Sequence, residues 1–180
     1  MNTLIPNAIL QGIIGHPFIC PDMIGGGSWA YRDVKRPIDE DLFVRMAQCS
    51  ALFPMMQFSW APWEAVSKDY LAYIKAAHDL HISFADKILE LVRRAYEDGE
   101  PILRSLAYNY PDCGYEYIKD QFMLGEDILV APVVEKGALI KNIVLPEGIW
   151  NGFDSMQYRG DCILELPVGI DTLPYFVRNK

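Results

Sequence analysis

The sequence lacks a basic surface, a long apolar run and any nucleotide-binding or catalytic-triad motif, and each absence argues against a class of protein. Acidic residues number 24 against 16 basic ones, for a formal net charge of −8. This balance argues against a nucleic-acid partner, because phosphate binding needs a basic surface. No apolar run approaches the length of a membrane-spanning helix, so no membrane partner is expected. There is no glycine-rich phosphate loop and no Ser-His-Asp set.

Paired cysteine motifs are also missing. The four cysteines, Cys20, Cys49, Cys113 and Cys162, form no Cys-x-x-Cys pair and have no histidine at ligand spacing. Neither a structural zinc nor another cofactor is therefore expected. Scattered cysteines in a chain without a signal peptide favour reduced, buried thiols. Residues 1–10 are too short and too polar for a secretory signal, so a cytoplasmic location is expected.

What the chain does have is enough apolar content to fold. Hydrophobic residues make up 51% of the 180 positions and aromatic residues 12%, which excludes a disordered or fibrous chain. A chain of this length can form one domain with a good core, or one modest domain plus part of another. The 12 prolines and 13 glycines indicate many turns rather than a helical bundle.

The most informative segment runs from residue 15 to residue 27. A short apolar run, Phe18–Cys20, leads to Asp22, and glycines at 25–27 allow the backbone to turn sharply after it. In a barrel of parallel strands, a strand of this kind delivers its last polar side chain to the catalytic face. The segment therefore predicts a strand that places Asp22 at a functional site.

A helix and a second strand are predicted next. Asp39-Glu40-Asp41 precedes an apolar run, and acidic residues in a first turn suit the positive end of a helix. This predicted helix carries Arg45 and Gln48. The following run, Phe53–Ser59, is apolar with polar interruptions, as expected of a buried parallel strand.

The clearest periodicity predicts one long surface helix. Apolar residues recur at three- and four-residue spacing between Ile74 and Tyr96 and form one apolar face. Charged residues fall mostly on the other side, with Glu90 and Arg94 placed as an i,i+4 pair. Gly99, with a proline two residues later, is typical of a helix C-terminus.

After about residue 108 the pattern changes to short β-prone runs separated by turns. The predicted strands are residues 128–134, 139–145, 149–153, 162–166 and 172–177. Pro-Glu-Gly at 146–148 and Arg-Gly-Asp at 159–161 are turn signals. Closely spaced strands with such turns favour an antiparallel sandwich or half of one, so we place a domain boundary near residue 108.

Several short motifs follow one another in a fixed order along the chain. They are the glycine-rich Pro-Asp turn at Cys20–Gly26, Arg-Met-Ala-Gln at 45–48 with the run at 51–56 after it, Gly-Glu-Pro-Ile-Leu-Arg at 99–104, the segment Asp120–Val133, and Leu-Pro-Glu-Gly-Ile-Trp at 145–150. Their order and spacing resemble glycoside hydrolase family 31, which contains α-glucosidases, α-xylosidases and related enzymes. The resemblance spans roughly Ile9 to Arg178.

This resemblance implies a fold that joins an α/β part to an all-β part. Residues 1–108 would form the C-terminal portion of a (β/α)8 TIM barrel, with its strands seven and eight and the long helix after them. Residues 109–180 would form an incomplete antiparallel β-sandwich, the proximal β-sandwich domain of the family. The patterns read from the residues on either side of position 108 agree with this division.

The resemblance also implies retaining hydrolysis of O-glycosyl bonds in α-glycosides. A retaining glycosidase needs a carboxylate nucleophile and a second carboxylic acid/base beside the scissile bond. In the family both precede the Pro-Asp turn, so both are expected upstream of Met1, and no catalytic residue is assigned in this chain. The implied partners are a carbohydrate substrate and the upstream part of the same enzyme. The alternative is a non-catalytic remnant, at most a weak carbohydrate-binding or assembly piece.

The candidate substrate-binding residues are Asp22, Arg45, Gln57, Ser59 and Trp60. By register, Ser59 stands where many family members have a histidine that contacts the sugar, and Gln57 stands in place of an arginine. Trp60, with Trp63 nearby, could stack on a sugar ring or belong to the core. For Arg45 a structural ion pair is the preferred interpretation, with Asp22 as its candidate partner.

Overall fold

The computed structural model describes residues 1–21, 23–26 and 38–179. These residues form six helices: α1 (Leu4–Ile13), α2 (Glu40–Ser50), α3 (Pro62–Ala65), α4 (Lys68–Ser83), α5 (Ala85–Asp98) and α6 (Leu106–Asn109). They also form eight strands: β1 (Leu103–Arg104), β2 (Phe122–Leu124), β3 (Ile128–Val130), β4 (Ile140–Leu145), β5 (Ile149–Gly152), β6 (Gln157–Arg159), β7 (Cys162–Pro167) and β8 (Tyr175–Arg178). Within the described ranges, no helix has the length and apolar character needed to cross a membrane.

Helix α2 begins where the acidic residues predicted it. Asp39 is the N-cap, and its carboxylate accepts a hydrogen bond from the backbone N–H of Leu42 at 3.1 Å. Glu40 and Asp41 lie in the first turn, where the positive end of the helix stabilises carboxylates. The helix start is therefore set by residues that are adjacent in sequence.

The predicted long surface helix is in fact two helices, α4 and α5, joined at Phe84. Phe84 has a φ of −99° and a ψ of 5°, and its N–H is shared between the carbonyls of Leu80 and His81. The hydroxyl of Ser83 donates to the same Leu80 carbonyl at 2.7 Å. A side chain that competes for a helix carbonyl weakens the regular ladder of hydrogen bonds, so the first helix ends here and a second one begins.

Gly99 ends helix α5 as predicted, with a left-handed φ of 75° that glycine adopts without steric cost. The predicted Glu90–Arg94 pair is wrong, because each side chain has another partner. Lys87 lies 3.0 Å from Glu90, and Arg94 lies 2.7 Å from Glu126. The second contact ties α5 to the turn between β2 and β3.

Six strands form one antiparallel sheet in the order β1-β2-β3-β8-β5-β6. At its centre, Leu129 of β3 lies opposite Met123 of β2 on one side and Phe176 of β8 on the other. Strands β4 and β7 form a separate antiparallel pair. The antiparallel strands predicted after residue 108 are confirmed. The domain boundary itself stays a prediction, and β1, which pairs with β2, lies before it.

The central strands of the six-stranded sheet are buried on both faces. Met123, Leu129 and Phe176 pack with Ile143 and Leu145 of β4 in one apolar cluster. Their sequence neighbours point to the opposite face and pack with the helices in a second cluster; these are Phe122, Leu124, Ile128 and Val130. The sheet is therefore the middle layer of the molecule, between the helices and the β4–β7 pair.

Two side chains just before β2 attach the β4–β7 pair to the larger sheet. The buried amide of Gln121 donates to the carbonyl of Val144 at 2.9 Å and accepts from its N–H at 2.9 Å. This amide takes the place of a neighbouring strand at the edge of β4, which would otherwise expose unpaired backbone groups. Asp120 forms an ion pair with the buried Lys141, also on β4.

The barrel strands predicted at residues 18–20 and 53–59 are wrong as strands. The described residues there form one parallel bridge, between Ile24 and Phe58. A parallel strand needs a hydrogen-bonded neighbour along its length. Within the described residues, segment 53–59 has only this single bridge, and segment 18–20 has none, since Ile24 lies four residues beyond it. The chain runs parallel at this bridge, as expected for the two predicted strands, but it does not show the barrel.

The four cysteines form no disulfide in the described part of the chain. Cys49 is buried as predicted, and burial raises the pKa of its thiol to about 12. Cys113 and Cys162 are exposed, so the prediction of buried thiols is wrong for these two.

The turn that leads from the larger sheet to β7 requires glycine at position 160. A Cβ at this position would lie 1.8 Å from the carbonyl oxygen of Pro146, which also accepts a hydrogen bond from Trp150 Nε1 at 2.8 Å. We expect Gly160→Ala to destabilise the protein by about 2 kcal/mol or more, because a backbone oxygen cannot move aside as a flexible side chain can. Urea unfolding measures the change.

The matched control for this variant is Gly12→Ala in helix α1. A Cβ at Gly12 meets nothing closer than 3.4 Å, and alanine is favoured over glycine inside a helix. Unfolding of both variants at the same urea concentration would contradict the prediction.

Candidate sugar-contact site

Two segments of the chain meet at the parallel bridge. The N–H of Ile24 donates to the carbonyl of Gln57 at 2.9 Å, and the N–H of Ser59 donates to the carbonyl of Ile24 at 2.9 Å. These bonds place the glycine turn at 25–26 beside Ser59 and Trp60. Asp22, which the sequence predicts at the same turn, lies outside the described residues.

The turn at residues 25–26 requires glycine. Gly25 has a φ of 100° and Gly26 a φ of 60°, in the region that other residues rarely adopt. A Cβ at Gly25 would lie 3.1 Å from both the Phe43 ring and Ser59 Oγ. The sequence therefore keeps this turn free of side chains so that it can approach Ser59 closely.

Ser59 holds the glycine turn through its hydroxyl. Ser59 Oγ lies 2.6 Å from the carbonyl of Gly26 and 3.1 Å from that of Ile24, and donates its proton to this pair of oxygens. A hydroxyl has one proton and two acceptor lone pairs. The contacts use the proton, so Ser59 is left to accept, rather than donate, a hydrogen bond from a ligand hydroxyl.

Gln57 is exposed, and its side-chain N–H groups are available as hydrogen-bond donors. Its side-chain oxygen accepts a weak hydrogen bond from Cys20 Sγ at 3.7 Å. Its amide nitrogen has no hydrogen-bond partner among the residues that the structure describes. The amide can therefore donate to a ligand hydroxyl beside the turn.

The two tryptophans differ in exposure. Trp60 is half-buried and packs against the helical core, close to Gly25. Trp63, at the start of α3, is 72% exposed. Trp60 therefore packs against the core with part of its surface and leaves the remainder exposed to solvent.

Arg45 lies elsewhere, at the junction of α2 and the turn that precedes β8. Its guanidinium donates to the carbonyls of Thr172 at 3.0 Å and Gly169 at 2.8 Å, and to the side-chain oxygen of Gln48 at 2.9 Å. Gln48 in turn donates to the carbonyl of Ile170 at 2.7 Å. Both side chains come from one face of α2, because they are three positions apart. Together they hold the turn at 169–172.

The surroundings of Arg45 favour the preferred structural role. Its partners, however, are carbonyl and amide oxygens rather than the expected carboxylate. Among the described residues no carboxylate lies within ion-pair distance of its guanidinium, and Asp22, its predicted partner, is not among them. Burial lowers the pKa of Arg45, and the carboxylates of Asp41 and Asp171 oppose that shift. Sequence reasoning did not single out Gln48 as a junction residue, although its i,i+3 spacing from Arg45 was the available signal.

The groups around the glycine turn suit recognition of a hydroxyl-rich ligand. They are an amide, a hydroxyl and part of an indole ring, which form hydrogen bonds and apolar contacts but are not general acids or bases. Across the described ranges, no group of three or more His, Cys, Asp or Glu side chains is placed to hold a metal ion.

One family model matches the C-terminal part of the chain. Residues 99–180 match the glycosyl hydrolase family 31 C-terminal domain. This region contains all the strands of both sheets, from β1 to β8.

Curated relatives match nearly the whole chain. The myogenesis-regulating glycosidase of Mus musculus is 33% identical over 98% of this chain and 26% of its own length. The SITS-binding protein of Tetronarce californica is 31% identical over the same share of this chain and 26% of its own. The chain therefore spans about a quarter of the length of these curated relatives.

A solved structure extends this likeness to three dimensions. The family 31 dextranase of Flavobacterium johnsoniae, in complex with glucose, has a TM-score of 0.85 to this chain at 27% sequence identity. The match covers 98% of this chain and 22% of the dextranase. The likeness thus includes the segments around the glycine turn as well as the sheets.

Arg45→Ala tests whether the α2 junction stabilises the fold. We expect a loss of about 1.5–3 kcal/mol in the free energy of unfolding, because hydrogen bonds from a charged group to three oxygens disappear. Urea unfolding measures it. Arg93→Ala is the control, since Arg93 is exposed on α5, and its effect should stay within about 0.5 kcal/mol. Equal effects of the two substitutions would show that the junction does not stabilise the fold.

Ser59→Ala tests the hydroxyl contact to the glycine turn. We expect a loss of about 1 kcal/mol in stability and faster amide hydrogen exchange at residues 24–26, because the hydroxyl no longer holds the turn. The control is Ser155→Ala, whose hydroxyl has no hydrogen-bond partner among the described residues. Unchanged exchange at residues 24–26 in Ser59→Ala would contradict the assignment.

Proposed function

Because the chain belongs to glycoside hydrolase family 31, we propose that it is the C-terminal portion of a retaining α-glycosidase. In this proposal the whole protein hydrolyses O-glycosyl bonds, and this portion supplies one wall of the sugar subsite. The residues of that wall are Gln57, Ser59 and Trp60, together with Asp22 on the glycine turn.

The parallel bridge between Ile24 and Phe58 carries the proposal. It places the ends of two parallel segments side by side, with a glycine turn on one and Ser59 and Trp60 on the other. In a barrel enzyme, substrate is bound where the carboxyl ends of parallel strands meet. Relatives that include a glycosidase and a dextranase support the reaction class.

The proposed chemistry divides the work between this chain and the residues before it. Retaining hydrolysis needs a carboxylate nucleophile and a carboxylic acid/base about 5–5.5 Å apart. In this proposal both carboxylates belong to a part of the protein that precedes this chain. This chain orients the sugar through the Gln57 amide, the acceptor lone pairs of Ser59 and the Trp60 ring.

A second candidate function is carbohydrate binding or assembly without hydrolysis. One observation favours a role without hydrolysis: the relative in Tetronarce californica is named for binding SITS, and its name includes no hydrolytic activity. In that case the glycine turn and Trp60 bind a sugar, but no catalytic pair completes the site.

Sugar binding by the purified chain tests the subsite. Titration with isomaltotriose, followed by NMR, should shift the amides of Gly25 and Gly26 and the indole of Trp60. We expect Trp60→Ala to weaken binding about tenfold through lost ring contact, and 4-nitrophenyl α-glucoside to give no turnover. The control is Tyr117→Ala, since Tyr117 is 87% exposed on the loop before β2. Shifts confined to other residues would rule out the subsite, and turnover would rule out the upstream placement of the carboxylates.

A chimera separates hydrolysis from binding. This chain replaces the matched 22% of the Flavobacterium johnsoniae dextranase. We expect a folded chimera to hydrolyse α-glucosides, and Ser59→His to change the kcat/KM ratio between α-glucosides and α-xylosides, because residue 59 lies beside the sugar. A folded chimera that binds isomaltotriose without hydrolysing any α-glycoside would show that this portion does not support hydrolysis even beside a complete catalytic pair.

A further inference from the structure

A cleft of about 360 Å³ lies between α2 and two loops of the sheets, at 134–139 and 168–170. Its walls are largely aliphatic and include Leu42 from the helix and Leu139 and Val168 from the loops. Gln57, Ser59 and Trp60 do not line it. The volume lies within the range of small-molecule pockets, about 300–1,000 Å³.

Arg45 lines this cleft and has N–H donors that are not used in hydrogen bonds to the described residues. Its side chain is nine-tenths buried, with 8% of the residue exposed. A guanidinium has five N–H donors, and Arg45 uses two on Nη1 and one on Nη2 for oxygens of Gln48, Thr172 and Gly169. The Nε–H and the second Nη2–H have no partner among the described residues. Nε and Nη2 share one edge of the guanidinium, and such an edge can bind a carboxylate through two parallel hydrogen bonds.

The carboxylates around the cleft are bonded elsewhere. Asp39 is paired with Lys136, and Asp41 accepts a hydrogen bond from the hydroxyl of Tyr70 at 2.7 Å. Asp171 accepts from the hydroxyl of Thr172 at 3.1 Å. Glu135 at the rim is exposed. In the described part of the chain, no anion is hydrogen-bonded to Arg45. The carboxylates of Asp41 and Asp171 favour its charge only from a distance, and a buried charge is costly unless it is paired.

We propose that this cleft binds a small organic carboxylate with an apolar body. The carboxylate bonds to Nε and Nη2 of Arg45, and the body packs on Leu42, Leu139 and Val168. Lys136, whose side chain is 71% exposed at the rim, supplies a second cation that can turn from Asp39 to the ligand. A neutral molecule with the same apolar part packs on the same walls but leaves the guanidinium without an anion.

Sodium octanoate is the probe, and 1-octanol, with the same tail and no charge, is its matched comparison. The readout is the NMR signal of the Arg45 Nε–H, together with the dissociation constant from the titration. We expect octanoate to shift this signal and to bind at least about tenfold more tightly than 1-octanol, since a charged bidentate contact is gained.

Leu139→Asp is the test variant, because Arg45 also holds the turn at 169–172 and its loss could unfold the chain. Leu139 is 78% exposed at the rim, so the substitution is tolerated while it places a like charge beside the ligand. We expect octanoate binding to weaken about tenfold. Leu89→Asp on α5 is the control, at a leucine that is 59% exposed and does not line the cleft, and it should leave binding unchanged.

Several results would overturn the proposal. They are an Arg45 signal that octanoate does not move, equal affinity for 1-octanol and octanoate, and unchanged octanoate binding in Leu139→Asp. Octanoate binding is also measured in Asp22→Asn, because Asp22 is the predicted ion-pair partner of Arg45. If octanoate binds only in Asp22→Asn, the site is filled by the chain's own carboxylate and the proposal is wrong.

Discussion

Burial of the central strands of the six-stranded sheet on both faces is the constraint on which the rest of the structure depends. Successive side chains of a strand point to opposite faces, so a strand that lies between two layers needs apolar residues at every position. Strands β2 and β3 meet this condition, because Phe122–Leu124 and Ile128–Val130 are buried throughout. Removing either the helices or the β4–β7 pair would expose a large apolar face to water. The helical and sheet-rich parts of the chain therefore stabilise each other.

Polar contacts fix how these layers are oriented, which apolar burial alone does not do. The hydrophobic effect has no direction, whereas a hydrogen bond to a chosen carbonyl does. Arg45 and Gln48 on α2 bond to the turn that leads into β8, and Gln121 bonds to the edge of β4. Helix α2 leads directly into the segment that contains Ser59. The junction at Arg45 thus places the glycine turn and its partner segment relative to the sheet.

The candidate site shows which properties of a residue can be read from sequence. The glycines identified a turn, and the family resemblance implied that Ser59 stands in the place of a histidine. It did not indicate that the Ser59 hydroxyl is bonded to that turn, because the contact crosses 33 positions to Gly26. The two tryptophans look alike in sequence, yet Trp60 packs against the core while Trp63 is exposed. Side-chain roles here depend on what the fold brings beside them.

The sequence by itself determined those features whose causes are local. Asp39 caps α2 and Gly99 ends α5, because these choices depend on backbone groups within a few residues. The order of motifs likewise identified the family. Only the tertiary structure decided the partners of Arg45 and Gln121 and the burial of β2 and β3 on both faces. Arg45 and Thr172 are 127 positions apart, and no periodicity in the chain relates them; the packing of helices against the sheet brings them together.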